Sequence, residues 1–227
     1  MNLKRLSILS AAVLGLSAGL AQAASVGLSS ATATFSQTGF DVSAAIDGSL
    51  NNNTGWAIDP NEVNQSAVFN AAGPVGGVGG TVFTFTMSQL FPNPDMHTIG
   101  KFKLSVTTDG SAWNDLAGVT FAANPAETPV NIGADGTILL AGSFRPSVSV
   151  YTVTGMTNLS AITGFKLDVL EDTSLPFQGP GRQPVNGNFV LTEFQVDATP
   201  VPLPAAAWAG MALLGGLGVA KRLRRHA

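Results

Sequence analysis

The segment with the densest group of potential metal-binding oxygen atoms is the loop from Ala44 to Ile58, which reads AAIDGSLNNNTGWAI. An Asp47-Gly48 turn is followed by three asparagines and Thr54, which places many oxygen atoms in a tight bend. Hard cations such as Ca²⁺ take about six to eight oxygen ligands, backbone carbonyls included. A turn without any ion is the alternative, because Asn and Asp side chains also stabilise turns by themselves.

A second group of residues has the chemistry to bind a sugar. Arg182, Asn186 and Asn188 offer hydrogen bonds to hydroxyl groups, and Trp113, in a polar loop, offers an aromatic face. The alternative for the Arg/Asn segment is turn chemistry that leads into a strand. Trp56 is expected in the core.

Catalysis is not expected from this sequence. His97 is the one histidine between the two terminal segments. The sequence contains no recognisable Ser or Cys nucleophile motif for which His97 could act as the base. There is no His pair for a zinc site and no cysteine. A glycosidase needs only two carboxylates, whose separation a sequence does not give. The carboxylates open to that role are Glu62, Glu127, Asp172 and Glu193.

The charge distribution excludes a nucleic-acid partner. Six of the 11 basic residues lie in the terminal segments, at Lys4, Arg5, Lys221, Arg222, Arg224 and Arg225. The region between the two terminal segments therefore contains five basic residues and all 14 acidic residues, which gives it a net charge of −9. Polyanion binding depends on Lys and Arg that neutralise phosphates, and five scattered cations do not supply them.

Residues 1–24 have the pattern of a secretory signal peptide. A basic start precedes an apolar run, Leu6–Leu20, and small residues then mark cleavage after Ala23 or Ala24. Residues 25–199 form one predicted domain, large enough for a substantial core. The absence of cysteine in an exported chain means that this core alone must hold the fold.

Residues 200–227 combine a proline-rich motif, an uncharged run and a basic terminus. As a helix, the run Ala205–Ala220 would be about 24 Å long, slightly short of the about 30 Å hydrocarbon core. The cationic end is expected to stay cytoplasmic, so the domain lies outside the inner membrane. An ordinary single-span anchor is one interpretation. The motif residues are Val201, Pro202, Leu203, Pro204 and Ala205.

This order of features resembles the PEP-CTERM sorting signal of Gram-negative bacteria, in its Val-Pro-Leu-Pro-Ala variant. The resemblance implies recognition and cleavage near the proline motif by an exosortase, a membrane protease, after transient contact with the inner membrane. Leu203 stands where the commoner pattern has Glu, so the exosortase class stays open. The expected destination is the cell surface or the extracellular matrix.

The central region has the alternation of β-strands. Apolar residues recur with period two in Thr81–Met87, Thr98–Thr107, Ser147–Thr154 and Phe165–Val169, and Asn188–Val196 is apolar on both faces. Clusters of Gly, Pro and Asn separate these runs, and no stretch of helical period interrupts them. The pattern predicts an all-β protein, a β-sandwich or jelly roll.

The pattern AIDG…NTGWAI resembles the early loop of discoidin-type, galactose-binding-like domains. The resemblance implies a jelly-roll sandwich with a structural Ca²⁺, held by this loop and by an acidic residue on the last strand. Carried onto this chain, the implied ligands are Asp47, Asn51, Thr54 and Glu193. Neighbouring first and last strands would bring Glu193 beside Asp47.

Longer segments resemble a domain attached to multidomain cytochrome-like proteins of planctomycetes. The segments include SATATFSQ, HTIGKFKLSVTTDG and GPGRQPVNGNFVLTEFQV and span Ser30 to Val196. The resemblance implies a galactose-binding-like domain with a carbohydrate role and no redox chemistry. We therefore expect a non-catalytic module that binds extracellular polysaccharide. The alternative is a structural or adhesive matrix protein that binds other proteins.

Overall fold

The computed structural model describes residues 21–92, 96–142 and 146–202. Most of the predicted signal peptide, and the sorting motif from Leu203 onward, lie outside these residues. The first two motif residues are described, and the Val201 N–H donates to the Gly80 carbonyl at 3.0 Å. Within the described ranges, no helix is long and apolar enough to cross a membrane.

The described chain folds almost entirely as strands. Two short 3₁₀ helices, Val42–Ile46 and Pro176–Gln178, are the only helices in this part of the chain. In chain order the strands are β1 (Ala24–Ser25), β2 (Leu28–Ala33), β3 (Trp56–Ala57), β4 (Gln65–Val75), β5 (Thr81–Gln89), β6 (Lys101–Thr107), β7 (Asn114–Asp115), β8 (Ala117–Asn124), β9 (Asn131–Ile132), β10 (Ile138–Leu139), β11 (Ser149–Thr157), β12 (Ile162–Val169), β13 (Val190–Leu191) and β14 (Glu193–Pro200).

The strands form two antiparallel sheets that enclose the core. The first has the order β1-β14-β5-β11-β8, and the second has the order β2-β4-β12-β6-β10-β9, with β7 also paired to β6. A separate two-stranded ribbon joins β3 to β13. The predicted all-β sandwich is therefore confirmed. The strands follow the predicted alternation, since Phe83, Phe85 and Met87 of β5 are fully buried and the residues between them are partly exposed.

Aromatic side chains from both sheets fill the centre of the core. Phe69 of the second sheet stacks on Phe194 of the first at a centroid distance of 4.1 Å. Phe165 meets Phe83 and Phe85 edge to face at 5.2 and 5.7 Å. Burial of one such side chain contributes about 1.5–3 kcal/mol, so these aromatic contacts between the sheets contribute substantially to the stability of a chain without disulfides.

The sandwich has two distinct ends. At the loop end, which comprises residues 34–64, 96–100, 125–142 and 170–192, Glu193 begins β14 opposite Ser88. At the turn end, which comprises residues 76–80, 108–113 and 158–161, Pro200 pairs with Thr81. The described chain enters at the turn end too, because Ala24 pairs with Ala198. The longest connections are therefore gathered at one end.

Candidate functional site

The predicted pair of Asp47 and Glu193 is brought together at the edge of the first sheet. The 3₁₀ helix Val42–Ile46 starts at Asp41, whose carboxylate accepts the Ser43 N–H at 2.9 Å, and it ends at Asp47. Gly48 then adopts a φ of 76°, a left-handed conformation that suits glycine. This reversal aims the Gly48 N–H at the carboxylate of Glu193, the first residue of β14.

Glu193 is a buried carboxylate in an unfavourable electrostatic environment. Its side chain is only 4% exposed, and Oε2 has no hydrogen-bond partner among the described residues. Burial and then the charge of Asp47 raise the pKa of Glu193 to about 7, against the lowering effect of the Gly48 N–H. The carboxylate borders a cavity of about 160 Å³ whose apolar wall includes Val26 and Ile46. A cation placed here would relieve both the burial and the repulsion.

The other two predicted metal ligands, Asn51 and Thr54, lie on the same loop as Asp47 but form hydrogen bonds within the turn. Asn51 is exposed, and its Oδ1 accepts the Asn53 N–H at 3.1 Å. The Thr54 hydroxyl donates to the Asn51 carbonyl at 3.2 Å. No group of three or more His, Cys, Asp or Glu side chains suited to a metal occurs in the described ranges. Any ion at this place would therefore rely on two carboxylates together with neutral oxygens.

Arg182, predicted to bind sugar, is instead a core residue. It has no exposed surface, and its Nη1 forms a short ion pair with Glu127, which is 7% exposed. The same nitrogen lies 3.4 Å from the Tyr151 hydroxyl. This buried pair joins the segment after β8 to the segment before β13. The guanidinium therefore holds two loops together and does not reach the surface.

The two predicted asparagines have different environments. Asn188 is 4% exposed, and its Oδ1 accepts the Ile58 N–H at 3.0 Å while its Nδ2 donates to Gln37 at 3.1 Å. Its side chain is thus committed to holding the β3 segment. Asn186 is half-buried at the loop end and donates to Asp59 Oδ1 at 3.0 Å. Of the predicted Arg/Asn group, only Asn186 is open to a ligand.

Trp113 is far from the other predicted sugar-binding residues. Lys166 Nζ lies 5.4 Å from the centre of its ring, and Lys166 pairs with Ser105 in the middle of the second sheet. Arg182 follows Gly181, which forms a β-bridge with Ile99. Ile99 lies six residues before Ser105, so at about 3.3 Å per residue these two positions are about 20 Å apart. Arg182 and Trp113 are therefore in different parts of the sandwich. The four predicted residues therefore do not form one site.

A second pair of carboxylates, Asp59 and Glu62, lies at the loop end beside Asn186. Burial first, and then the hydrogen bond to Asp59 and its charge, raise the pKa of Glu62 to about 7. The two groups are in direct hydrogen-bond contact. The carboxyl groups of a glycosidase stand about 5 Å or more apart so that the sugar and water fit between them. This pair leaves no such space.

Phe177, which the sequence did not single out as a binding residue, is the most exposed aromatic residue of the loop end. Its side chain is 70% exposed, and its backbone has a left-handed φ of 51°, followed by Gln178 at 59°. Left-handed non-glycine residues cost of order 1–3 kcal/mol each and are enriched at functional sites. The signal available in the sequence was the aromatic between Pro176 and Gly179, in a segment interpreted only as a turn.

Phe177 belongs to a surface shared with the Asn186 turn. Gly187 packs against the Pro176 carbonyl and against Gly179, so the two loops touch. Val185, in the same turn as Asn186, is 67% exposed. We call this surface, formed by Phe177, Val185, Asn186, Asp59 and Glu62, the loop-end face.

Comparison with known proteins gave similarities of fold only. No family model matches the chain, and no curated protein matches it either. Among solved structures, a domain designated CBM32-5 from Clostridium perfringens, in complex with GalNAc-β-1,3-galactose, is 18% identical, with a TM-score of 0.48. The similarity covers 76% of this chain and 99% of that one.

Two further solved structures are similar at lower scores. The domain CBM32-3 from a family 31 glycoside hydrolase of Clostridium perfringens is 14% identical over 75% of this chain and 90% of its own, with a TM-score of 0.45. An F5/8 type C domain from Bacteroides fragilis is 12% identical over 76% of this chain and 92% of its own, with a TM-score of 0.43. Identities and scores this low carry no information on the ligand of this chain.

Proposed function

We propose that this protein is a secreted, non-catalytic carbohydrate-binding module. The observation that carries the proposal is the loop-end face, where Phe177 is exposed on a loop that packs against the turn carrying Asn186, and Asn186 is bonded to Asp59. An aromatic face packs on the C–H groups of a pyranose, and carboxylate and amide groups bind its hydroxyls. No step of catalysis is assigned to these residues.

The test compares two aromatic residues that lie at different places in the fold. Affinity electrophoresis and a glycan array should show retention of residues 24–202, which contain every described strand, by the producer's own exopolysaccharide. Phe177→Ala should abolish retention without changing thermal stability, because the ring is exposed. Trp113→Ala is the matched control and should retain binding. The proposal fails if the unmodified protein binds no glycan, or if only Trp113→Ala loses binding.

We also propose that Asp47 and Glu193 hold a structural Ca²⁺, with Asn51, Thr54 and backbone carbonyls as further oxygen ligands. The support is the buried Glu193 Oε2 without a partner and the repulsion between the two carboxylates. A calcium ion would supply the positive charge that this place lacks. The ion would join the loop after the first 3₁₀ helix to the beginning of β14.

Thermal unfolding in CaCl₂ and in EDTA tests this site. A ligand that binds only the folded state adds RT ln(1 + [L]/Kd), which is about 2.7 kcal/mol at a concentration of 100 Kd. The shift should disappear in Asp47→Ala and in Glu193→Ala, and it should persist in Asp109→Ala, an exposed carboxylate at the turn end. Equal melting in CaCl₂ and EDTA would contradict calcium binding while leaving the carbohydrate proposal open.

Export and exosortase sorting to the cell surface or exopolysaccharide matrix complete the proposal. The support is the sequence pattern of residues 1–24 and 200–227. Mass spectrometry of the protein recovered from the producer should show an N-terminus at Ala24 or Ser25 and a C-terminus near the proline motif. Recovery of an uncut tail in the inner membrane would favour an ordinary anchor.

A structural or adhesive matrix protein is the second candidate. The observation that favours it is the exposure of Phe177, Val185 and Val63 at the loop end, at 70%, 67% and 44%. Exposed apolar side chains that lie together mark protein interfaces. Cross-linking in the intact matrix that captures a protein at Val185, with no retention on any glycan, would select this function.

A further inference from the structure

The two apolar segments expected to enter the inner membrane are joined to the sandwich on the side of its turn end. Ala24 pairs with Ala198 on the neighbouring strands β1 and β14, and β14 ends at Pro200. The apolar run of the signal peptide ends at Leu20, four residues before Ala24, and the uncharged run of the tail begins at Ala205. Any membrane that holds these segments is therefore close to the turn end.

The chain between the sandwich and the uncharged run of the tail is too short to let the domain stand away from a bilayer. Val201 is still held by the fold, since its N–H donates to the Gly80 carbonyl at 3.0 Å. An extended chain spans at most about 3.6 Å per residue, so Val201 lies within about 14 Å of Ala205. The headgroup region on each side of the hydrocarbon core is about 5–8 Å thick. The turn end must therefore come within about 10 Å of the headgroups.

The connection between β4 and β5 carries the most exposed large apolar side chain of the described residues. Val78 is 85% exposed in the segment 76–80, which reads Gly-Gly-Val-Gly-Gly. This segment touches the point where the tail leaves the sandwich, because a Cβ built on Gly77 would lie 3.8 Å from the Pro200 Cβ. The glycines on both sides of the valine have no side chains that could keep it away from an approaching surface.

The surface around Val78 is uncharged, although the domain as a whole is acidic. Residues 158–161 pack against residues 76–80, since a Cβ built on Gly76 would lie 3.7 Å from the Ser160 Cα. Neither segment contains a charged residue, and the third connection at this end contains one acid, Asp109. We call residues 76–80 and 158–161 the turn-end surface. Because anionic lipids repel the net charge of −9 between the two terminal segments, this uncharged surface suits contact with a bilayer.

We propose that the turn-end surface contacts the lipid headgroup region of the inner membrane through Val78 while the tail is inserted. The proposal rests on the membrane insertion of the tail, which both a sorting signal and an ordinary anchor require. One valine offers too little apolar area to hold a free domain at a bilayer. The tail makes the contact intramolecular, so that a weak attraction is enough. The contact holds the proline motif at the lipid surface, and it ends when the tail is cut.

Thiol reactivity tests the contact, because the chain contains no cysteine of its own. Val78→Cys and the control Val185→Cys, which changes an exposed valine of the loop end, are made in residues 24–227 and reconstituted in vesicles of phosphatidylethanolamine and phosphatidylglycerol. The measurement is the rate of reaction with a charged, water-soluble maleimide. Only the thiolate reacts, and an apolar environment disfavours it, so the ratio of the Val78→Cys rate to the Val185→Cys rate should be at least about tenfold lower in vesicles than in soluble residues 24–202.

Resistance of the vesicle-bound protein to alkaline extraction measures the insertion of the tail separately. An inserted tail with an unchanged rate ratio overturns the contact alone. A tail that does not insert overturns both the contact and the membrane role of residues 200–227, and it leaves the carbohydrate proposal untouched.

A longer tether provides a second check. A flexible Gly/Ser linker of about 20 residues between Pro202 and Leu203 has an r.m.s. length of about 25 Å, which frees the domain from the headgroups. This variant should recover the rate ratio of the soluble protein, because lipid repulsion of the acidic domain is then no longer opposed by a short tether. Protection of Val78→Cys that survives the linker would overturn the argument from tether length.

Discussion

Replacement of Glu193 by Gln should stabilise the calcium-free protein at neutral and alkaline pH. The pKa of Glu193 is raised from 4.5 to about 7 by burial and by the charge of Asp47. Each pKa unit corresponds to about 1.4 kcal/mol, so the ionised carboxylate costs the folded state up to about 3 kcal/mol. Gln has nearly the same shape and carries no charge.

The pH dependence follows from the direction of the pKa shift. Between about pH 4.5 and 7 the unfolded chain has released the proton of Glu193 while the folded protein still holds it. Stability of the unmodified protein therefore falls as the pH rises through this window. Below pH 4.5 both states are protonated, so the unmodified protein and Glu193→Gln should have similar stability.

The assay is thermal and urea unfolding of both proteins in EDTA, at about pH 4 and about pH 8. For a domain of this size about 3 kcal/mol corresponds to roughly 6–12 °C in Tm, so Glu193→Gln should melt higher by up to this amount at pH 8. Saturating CaCl₂ should reduce or reverse the difference, because only the carboxylate gains from the ion. A variant less stable than the unmodified protein at pH 8 in EDTA would refute the reasoning.

Two further predictions concern the loop end. Arg182→Met or Glu127→Gln alone should destabilise the fold by about 3–5 kcal/mol, because each leaves a buried partner without its counter-charge, and the double change should cost less than the sum in urea unfolding. Additive losses would mean that the two residues are not energetically coupled. Gly181→Ala should lower Tm strongly because a Cβ would overlap the Asn188 carbonyl, whereas Gly73→Ala, with open space around it, should change Tm little. Equal effects of the two glycine substitutions would contradict the described packing.

Strand positions were predictable from sequence where burial alternates cleanly. β5 and β6 carry apolar residues at every second position, at Phe83, Phe85 and Met87 and at Phe102, Leu104 and Val106, with mostly polar residues between them, so period two identifies these strands without knowledge of their neighbours. β4 was not predicted, because no alternating run was identified in Gln65–Val75 and the interval 70–80 was interpreted as one of the Gly, Pro and Asn clusters that separate strands. The strand continues to Val75 through Gly73 and Pro74, in a stretch that is mostly exposed and lacks an apolar face.

The predicted metal ligands and the predicted sugar-binding arginine differed in how far the sequence could locate them. Asp47 and Glu193 are 146 positions apart, and their proximity was expected from the resemblance to discoidin-type domains, in which the first and last strands would be neighbours; the structure brings the two residues together. Arg182 could not be assigned in this way. Its partner Glu127 lies 55 residues earlier in the chain, in a segment without periodicity, and only the folded structure shows that the pair is buried.

Phe177 illustrates the opposite difficulty. An exposed aromatic and a buried one look alike in a sequence, and the feature that distinguishes this ring is its left-handed backbone. Pro176 and Gly179 signal a turn but do not indicate in which direction the side chain points.

The first and last strands of the sandwich end on the same side, which has a consequence for how the domain can be displayed. Ala24 and Pro200 both lie toward the turn end. Along β14, Pro200 is about 23 Å from Glu193, and Ala198, the partner of Ala24, is about 17 Å from it. Attachment through either end would therefore turn Phe177 away from the supporting surface, toward whatever surrounds the cell. A reporter protein or a solid support joined at either end should likewise leave the loop end unobstructed.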